Sequence, residues 1–161
     1  MLIQTRRCTI RPLVAADIDE VAAYRDDLDW MRFQGIKGLD RAGYVERLVG
    51  AGFRAETGGQ LAVVLTETGR VVGDLYVKLT PPIGWIGYTI GRADAGQALG
   101  AEAVRGLIGW LGARGDLTCV QAEVEPANVA SIRLLAAAGF TVRATGPETL
   151  VYGLDLVRPV A

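Results

Sequence analysis

The sequence predicts an α/β fold, α+β under some schemes, with a mixed central sheet of about seven strands and helices on both faces. Three observations carry this reading. Half of the 161 residues are apolar and 22% are charged, so the chain can bury a sizeable core. The apolar pattern changes along the chain, from helical spacing before Gly58 to β-rich runs after it. Turn signals join the first β-rich runs directly, whereas helical stretches separate the later ones. Hairpins therefore come first and helix crossovers follow.

In chain order, Cys8 to Pro12 reads as a short strand that Pro12 ends. Asp17 to Trp30 carries Ile18, Val21, Ala22 and Tyr24 at helical spacing, with Asp17 suited to the positive helix end. Gly35 and Gly38 break Met31 to Leu39 into a loop, and Asp40 is an N-cap for a second helix bearing Tyr44, Val45, Leu48 and Val49. Gln60 to Thr66 and Arg70 to Leu79 are strands joined through Glu67, Thr68 and Gly69. Pro81 and Pro82 turn the chain into a third strand, Trp85 to Ile90. Gly100 to Ala113 places Ala103, Val104, Leu107, Ile108 and Leu111 on one helical stripe. Leu117 to Val124 is a strand, and Asn128 to Ala138 is a helix stopped by Gly139. Phe140 to Thr145 and Leu150 to Leu156 close the sheet. No linker interrupts this order, so residues 1–161 read as a single domain.

Composition excludes several chemistries. With no histidine, Ser-His-Asp and Cys-His triads and His-ligated metals are ruled out. Cys8 and Cys119 have no metal-ligand spacing and read as reduced thiols of a cytoplasmic protein, so no metal is expected. A net charge of −1 argues against nucleic-acid or anionic-membrane binding. No apolar run is long enough for a signal peptide or a membrane span.

Two segments carry the functional signal. The first is Ile83-Gly-Trp-Ile-Gly-Tyr-Thr-Ile-Gly91 leading into Gly96-Gln-Ala-Leu-Gly-Ala-Glu-Ala-Val104. It reads as strand, small-residue loop and helix start, an order that aims free backbone N–H groups and a positive helix end at an anion. The second is Glu125-Pro-Ala-Asn-Val-Ala-Ser-Ile-Arg-Leu-Leu-Ala-Ala-Ala-Gly-Phe140, which sets Asn128 and Ser131 on the first turn of a helix.

Together these segments resemble the cofactor half of the GCN5-related N-acetyltransferases (GNAT), and the element order resembles that fold over nearly the whole chain. The second segment is most similar to the ribosomal-protein-type members, whose pattern Pro-x-Asn-x-x-Ser-Ile-Arg falls on Pro126, Asn128, Ser131, Ile132 and Arg133. The family's phosphate loop, Arg/Gln-x-x-Gly-x-Gly/Ala, aligns with Ala95 to Gly100. Gly100 matches, while Ala95 and Ala98 replace the leading polar residue and the middle glycine. The resemblance implies an acetyl-coenzyme A-dependent N-acetyltransferase acting by direct attack of a primary amine, on a protein N-terminus or a small molecule. The alternative is a catalytically inactive acyl-coenzyme A-binding or sensing module of the same fold. Related proteins often pair, which leaves a homodimer open.

The resemblance further assigns cosubstrate binding to Gly96, Gln97, Ala98, Leu99, Gly100 and Ala101 in the loop and helix start. It adds Thr89 and Ile90 on the strand, and Asn128, Ser131 and Arg133 on the later helix. Asn128 also reads as a plain N-cap. Many relatives carry a tyrosine acid where this chain has Leu135. A coenzyme A thiol with a pKa near ~8.5 still departs readily, and Ser131 can hydrogen-bond it. Acetyl transfer also needs a neutral amine. Without histidine the base is a carboxylate, with Asp74, Glu123 and Glu125 as candidates. Trp30, Phe33 and Trp85 are the candidates for lining the acceptor site.

Overall fold

The computed structural model describes residues 1–157, so positions 158–161 of the expected domain lie outside the described residues. Its strands are β1 (Ile3–Gln4), β2 (Cys8–Pro12), β3 (Gly58–Leu65), β4 (Val71–Thr80), β5 (Ile83–Ile90), β6 (Cys119–Val124), β7 (Thr141–Thr145) and β8 (Leu150–Asp155). Its helices are α1 (Ile18–Arg25), α2 (Arg41–Tyr44), α3 (Leu99–Ala113) and α4 (Val129–Ala137). The strands form one sheet in the order β1-β2-β3-β4-β5-β6-β8-β7, all antiparallel except the β5–β6 pair. The short β1, absent from the sequence reading, pairs Ile3 with Ile10 and brings the strand count to eight.

The faces of the sheet follow from the period of two. On β3, Leu61 and Val63 pack with Ala103, Val104 and Leu107 of α3, while Ala62 and Val64 pack with Ile18 and Val21 of α1. The strand is buried on both sides, which is why it reads as a near-continuous apolar run.

Helix α1 is shorter than its apolar spacing predicts, ending at Arg25 rather than near Trp30. The Arg25 guanidinium turns inward to Asp74 and the Ile36 carbonyl, and Asp27 Oδ1 accepts the Trp30 N–H at 3.2 Å. These bonds hold the following segment in turns. Asp40 caps α2 as expected, accepting the Gly43 N–H at 2.8 Å. Five residues, Val45–Val49, then continue with wider π-type winding.

The feature that positions the site is a gap in the sheet. β5 and β6 pair only from Ile83↔Cys119 to Trp85↔Gln121. Beyond that point β5 stays with β4 as far as Gly73↔Ile90, and β6 stays with β8 as far as Val124↔Leu150. The strands diverge like the arms of a V. Across β4–β5 the Gly91 N–H bonds the Val72 carbonyl at 2.8 Å. Antiparallel alternation then turns the backbone of Thr89 toward β4 and the backbones of Tyr88 and Ile90 toward the gap.

Candidate active site

A cleft of about 610 Å³ runs from the β5–β6 gap to the N-terminus of α3. Gly96, Ala98, Gly100 and Ala101 form one end, and Thr89, Ile90, Asn128 and Ser131 line the part along β5. The first internal bond of α3 is from the Glu102 N–H to the Ala98 carbonyl at 3.1 Å. The amides of Leu99, Gly100 and Ala101 precede it and point out of the helix end. Leu99 contributes only this backbone, since its side chain is buried in the core. Small residues are needed for close approach here. A Cβ on Gly100 would stand 3.3 Å from Ile90 Cγ1 and 3.3 Å from Leu134 Cδ1, so α3 starts wedged between β5 and α4.

Ala98 occupies the left-handed region, with φ 60° and ψ 21°, and is the one non-glycine residue with positive φ among the described residues. A glycine would be unstrained at this position. Around it, Arg70 donates to both oxygens of buried Asp94, at 2.6 and 2.8 Å, which neutralises a carboxylate beside the helix end. Arg92 is tied to Asp27 and Asp29 and lies 5.1 Å from the centre of the Trp30 ring. The Trp30 indole N–H in turn donates to the Ile90 carbonyl at 2.8 Å, on the gap side of β5.

A second cavity of about 240 Å³ opens beside the first and is lined by Phe33, Gln34, Glu123, Glu125 and Thr149. Tyr88, Asn128 and Ser131 line both spaces and mark their junction. The Asn128 side chain caps α4 by accepting the Ser131 N–H at 3.3 Å. The Tyr88 hydroxyl lies 2.6 Å from Ser131 Oγ and 3.2 Å from the Ser131 carbonyl. Burial pushes the Tyr88 pKa up to about 12, against a smaller opposing effect of the Ser131 bond. The sequence alone gives no role to the Tyr88 side chain. The period of two on β5 puts Tyr88 and Ile90 on one face, and a helix returning after β6 is the element that covers it.

Other expected residues lie elsewhere. Asp74 lines neither cavity. It is 1% exposed under α1, where it accepts bonds from the Tyr24 hydroxyl, Arg25 (2.7 and 3.2 Å) and Gln60 (2.8 Å). Its oxygens are committed to this buried network, so its acceptor capacity is spent away from any substrate. Burial, with the charge of Asp74 added, pushes the Tyr24 pKa up as well. Trp85, Gln97 and Arg133 also line neither cavity. Trp85 shares the face of Asp74 by strand alternation, and Gln97 and Arg133 are exposed. Trp30 borders the larger cleft, and Phe33 borders both spaces. Among the described residues no group of three His, Cys, Asp or Glu side chains is arranged to hold a metal ion, and no helix is long and apolar enough to cross a membrane.

Comparison with known proteins fits this geometry. The sequence profile of the acetyltransferase (GNAT) domain matches residues 7–141. An uncharacterized N-acetyltransferase, p20, of Bacillus licheniformis is 26% identical over 144 residues, covering 86% of this chain and 81% of that protein. A GNAT-family acetyltransferase from Bacillus anthracis superposes with a TM-score of 0.83 at 19% identity, over 96% of this chain and 98% of that one. A ribosomal-protein alpha-N-acetyltransferase solved in complex with coenzyme A superposes with a TM-score of 0.76 at 14% identity, over 97% of this chain and 98% of its own.

Proposed function

The chain belongs to the acetyltransferase (GNAT) family, and on that premise we propose that it moves the acetyl group of acetyl-coenzyme A onto a primary amine by direct attack. The observation that carries this reading is the continuity of the open sheet gap with the bare N-terminus of α3. A long ligand with an anionic diphosphate and an amide-bearing arm fits that shape. Backbone N–H groups from Gly96 to Ala101 would hold the diphosphate. The backbone of Tyr88 and the N–H of Ile90, which face the gap without a strand partner, would hydrogen-bond the arm as an added strand does, while the Ile90 carbonyl is held by Trp30. Acetyl-coenzyme A supplies the activated acyl group as a thioester, and the rest is done by this chain.

Proximity and the removal of one proton are what the chain must provide. Glu123 and Glu125 border the smaller cavity and serve as base, directly or through a water. Ser131, at the junction, stands where the thiol departs. Phe33 and Gln34 border the approach of the amine. An α-amine, with a pKa near ~7.7–8.0, is far easier to hold neutral than a lysine amine near ~10.4. With no histidine and with carboxylate bases only, an N-terminal or similarly weak amine is the preferred acceptor. The structural likeness to a protein that acetylates ribosomal-protein N-termini supports the same preference.

Calorimetric titration with acetyl-coenzyme A, then a thiol-release assay across α-amine and lysine-type peptides and small amines, tests the proposal. Saturable binding is expected, with release fastest on α-amines. Binding with no release on any amine would leave only an acyl-coenzyme A-binding module, and a chain that does not bind the cosubstrate would overturn the assignment of the cleft.

A further inference from the structure

We propose that Arg25 is a positioning residue for the acceptor amine: its guanidinium, held by Asp74, fastens the Ile36 carbonyl and so keeps Phe33 and Gln34 at the mouth of the smaller cavity. This rests on the acetyl-transfer reading of the cleft. An arginine in the last turn of a surface helix ordinarily points to solvent, where it complements the negative helix end. Arg25 is instead 4% exposed. Its Nη2 and Nε donate to the Asp74 carboxylate at 2.7 and 3.2 Å, and its Nη1 donates to the Ile36 carbonyl at 2.6 Å. One planar group thus joins α1, β4 and the loop that follows α1. The main chain of Arg25 adds to this, its carbonyl accepting the Gly38 N–H at 3.4 Å. Asp74 also accepts bonds from the Tyr24 hydroxyl and the Gln60 amide, which fix the carboxylate from two further sides. Burial opposes the Arg25 charge, but Asp74 outweighs it and pushes the pKa up, so the guanidinium stays a donor.

The segment so held has little of its own to fix its course. Gly35 and Gly38 interrupt it, and a Cβ on Gly35 would meet nothing within 4 Å. Upstream the chain is anchored separately. Met31 is buried, its carbonyl accepts the Gln34 N–H at 2.9 Å, and the Trp30 indole is bonded to Ile90. Phe33 and Gln34, which border both cavities, lie between these anchors and the Arg25 peg. Loss of the peg frees the Ile36 side of the loop and shifts the wall that the amine passes. The bonds of Arg25 do not reach Gly96 to Ala101 or the gap side of β5, so the grip on the cosubstrate is left in place. Asp74, too deep to act as a base, thereby serves the acceptor through Arg25.

Two variants test this. Arg25→Met combined with Asp74→Asn removes both charges together, so neither is left buried alone, and Asn can still accept from Tyr24 and Gln60. Arg25→Lys keeps a cation for Asp74 but replaces the fork by a single nitrogen, and it carries the test if the double variant does not fold. Trypsin cleavage after Lys37, followed by mass spectrometry of the native protein, reports whether the loop is fastened and needs no substrate. Thiol release from acetyl-coenzyme A on an α-amine tetrapeptide gives KM and kcat, and calorimetry gives the acetyl-coenzyme A Kd. The double variant should be cleaved roughly tenfold faster and its peptide KM should rise by the same factor, the equivalent of one hydrogen bond to a charged group. Its Kd should stay within about twofold of wild type, and Arg25→Lys should fall between the two proteins in both cleavage and KM. Unchanged cleavage and KM in the folded variants would overturn the inference. So would a loss of acetyl-coenzyme A affinity as large as the rise in KM, which would mark a general structural role. No thiol release from the wild-type protein on any amine would overturn the acetyl-transfer reading and the acceptor role with it, while the cleavage rates would still show separately whether Arg25 fastens the loop.

Discussion

Replacing Ala98 by glycine should stabilise the protein, whereas at positions with ordinary negative φ the same change destabilises. Ala98 sits at φ 60° and ψ 21°. The left-handed conformation costs an L-residue about 1–2 kcal/mol, and glycine removes that cost. Against this stands the greater freedom of glycine in the unfolded chain, about 0.4–1 kcal/mol. Ala98 is exposed, so its methyl group takes no packing with it. The difference of these ranges is about 0–1.6 kcal/mol, centred on ~0.8 kcal/mol, which is a rise in Tm of roughly 2–3 °C for a chain of this length. Ala95, three positions earlier, is the internal control. Its φ of −71° and ψ of 159° are ordinary extended backbone. Ala95→Gly should therefore lose about 0.4–1 kcal/mol through the unfolded state alone. Thermal unfolding followed by circular dichroism compares the two. Shifts of opposite sign are expected, and a fall in Tm for Ala98→Gly comparable to that for Ala95→Gly would refute the strain argument.

Three further outcomes follow from the same structure. A branched side chain at Gly100 would force Ile90 and Leu134 apart, since even its Cβ would lie 3.3 Å from each. Gly100→Val should abolish acetyl-coenzyme A binding in calorimetry, and unchanged affinity would defeat the assignment of this loop. Asp74→Ala leaves the Arg25 guanidinium buried without its counter-charge, at a cost of about 3–5 kcal/mol and a fall in Tm of about 6–20 °C. Loss of one limb of a pH–rate profile with stability intact would instead return Asp74 to a role as base. Glu102 accepts bonds from the Thr5 hydroxyl (2.7 Å), the Arg7 amide (2.6 Å) and the Arg7 guanidinium (2.8 Å). Burial opposes its charge, yet these donors hold its carboxyl below the usual glutamate range. Its contribution is thus present above the unfolded carboxylate pKa and is lost as pH falls through the lower folded value. Glu102→Gln should cost about 1–2 kcal/mol near neutral pH, and denaturant midpoints of the two proteins should converge in acid. A gap that persists at the lowest pH would contradict this.

What the sequence made legible was local, and what it hid was set by partners far along the chain. The Asp40 cap, the α3 stripe and the Asn128 cap depend on residues within a few positions of each other, and each is found where the spacing puts it. The gap in the sheet depends on where two strands stop pairing, and nothing in Ile83 to Ile90 or Cys119 to Val124 alone announces that pairing ends after Trp85. Asp74 shows the same limit from the other side. Its neighbours in sequence, Gly73 and Leu75, give no hint of Arg25, Tyr24 and Gln60, which arrive from another helix and another strand. A lone acid on a strand looks equally like a base or a buried ion pair until the face it shares is known. Tyr88 makes the point constructively. Strand alternation assigns its face, the β6–α4 return covers that face, and a hydroxyl on the first turn of α4 then falls within its reach.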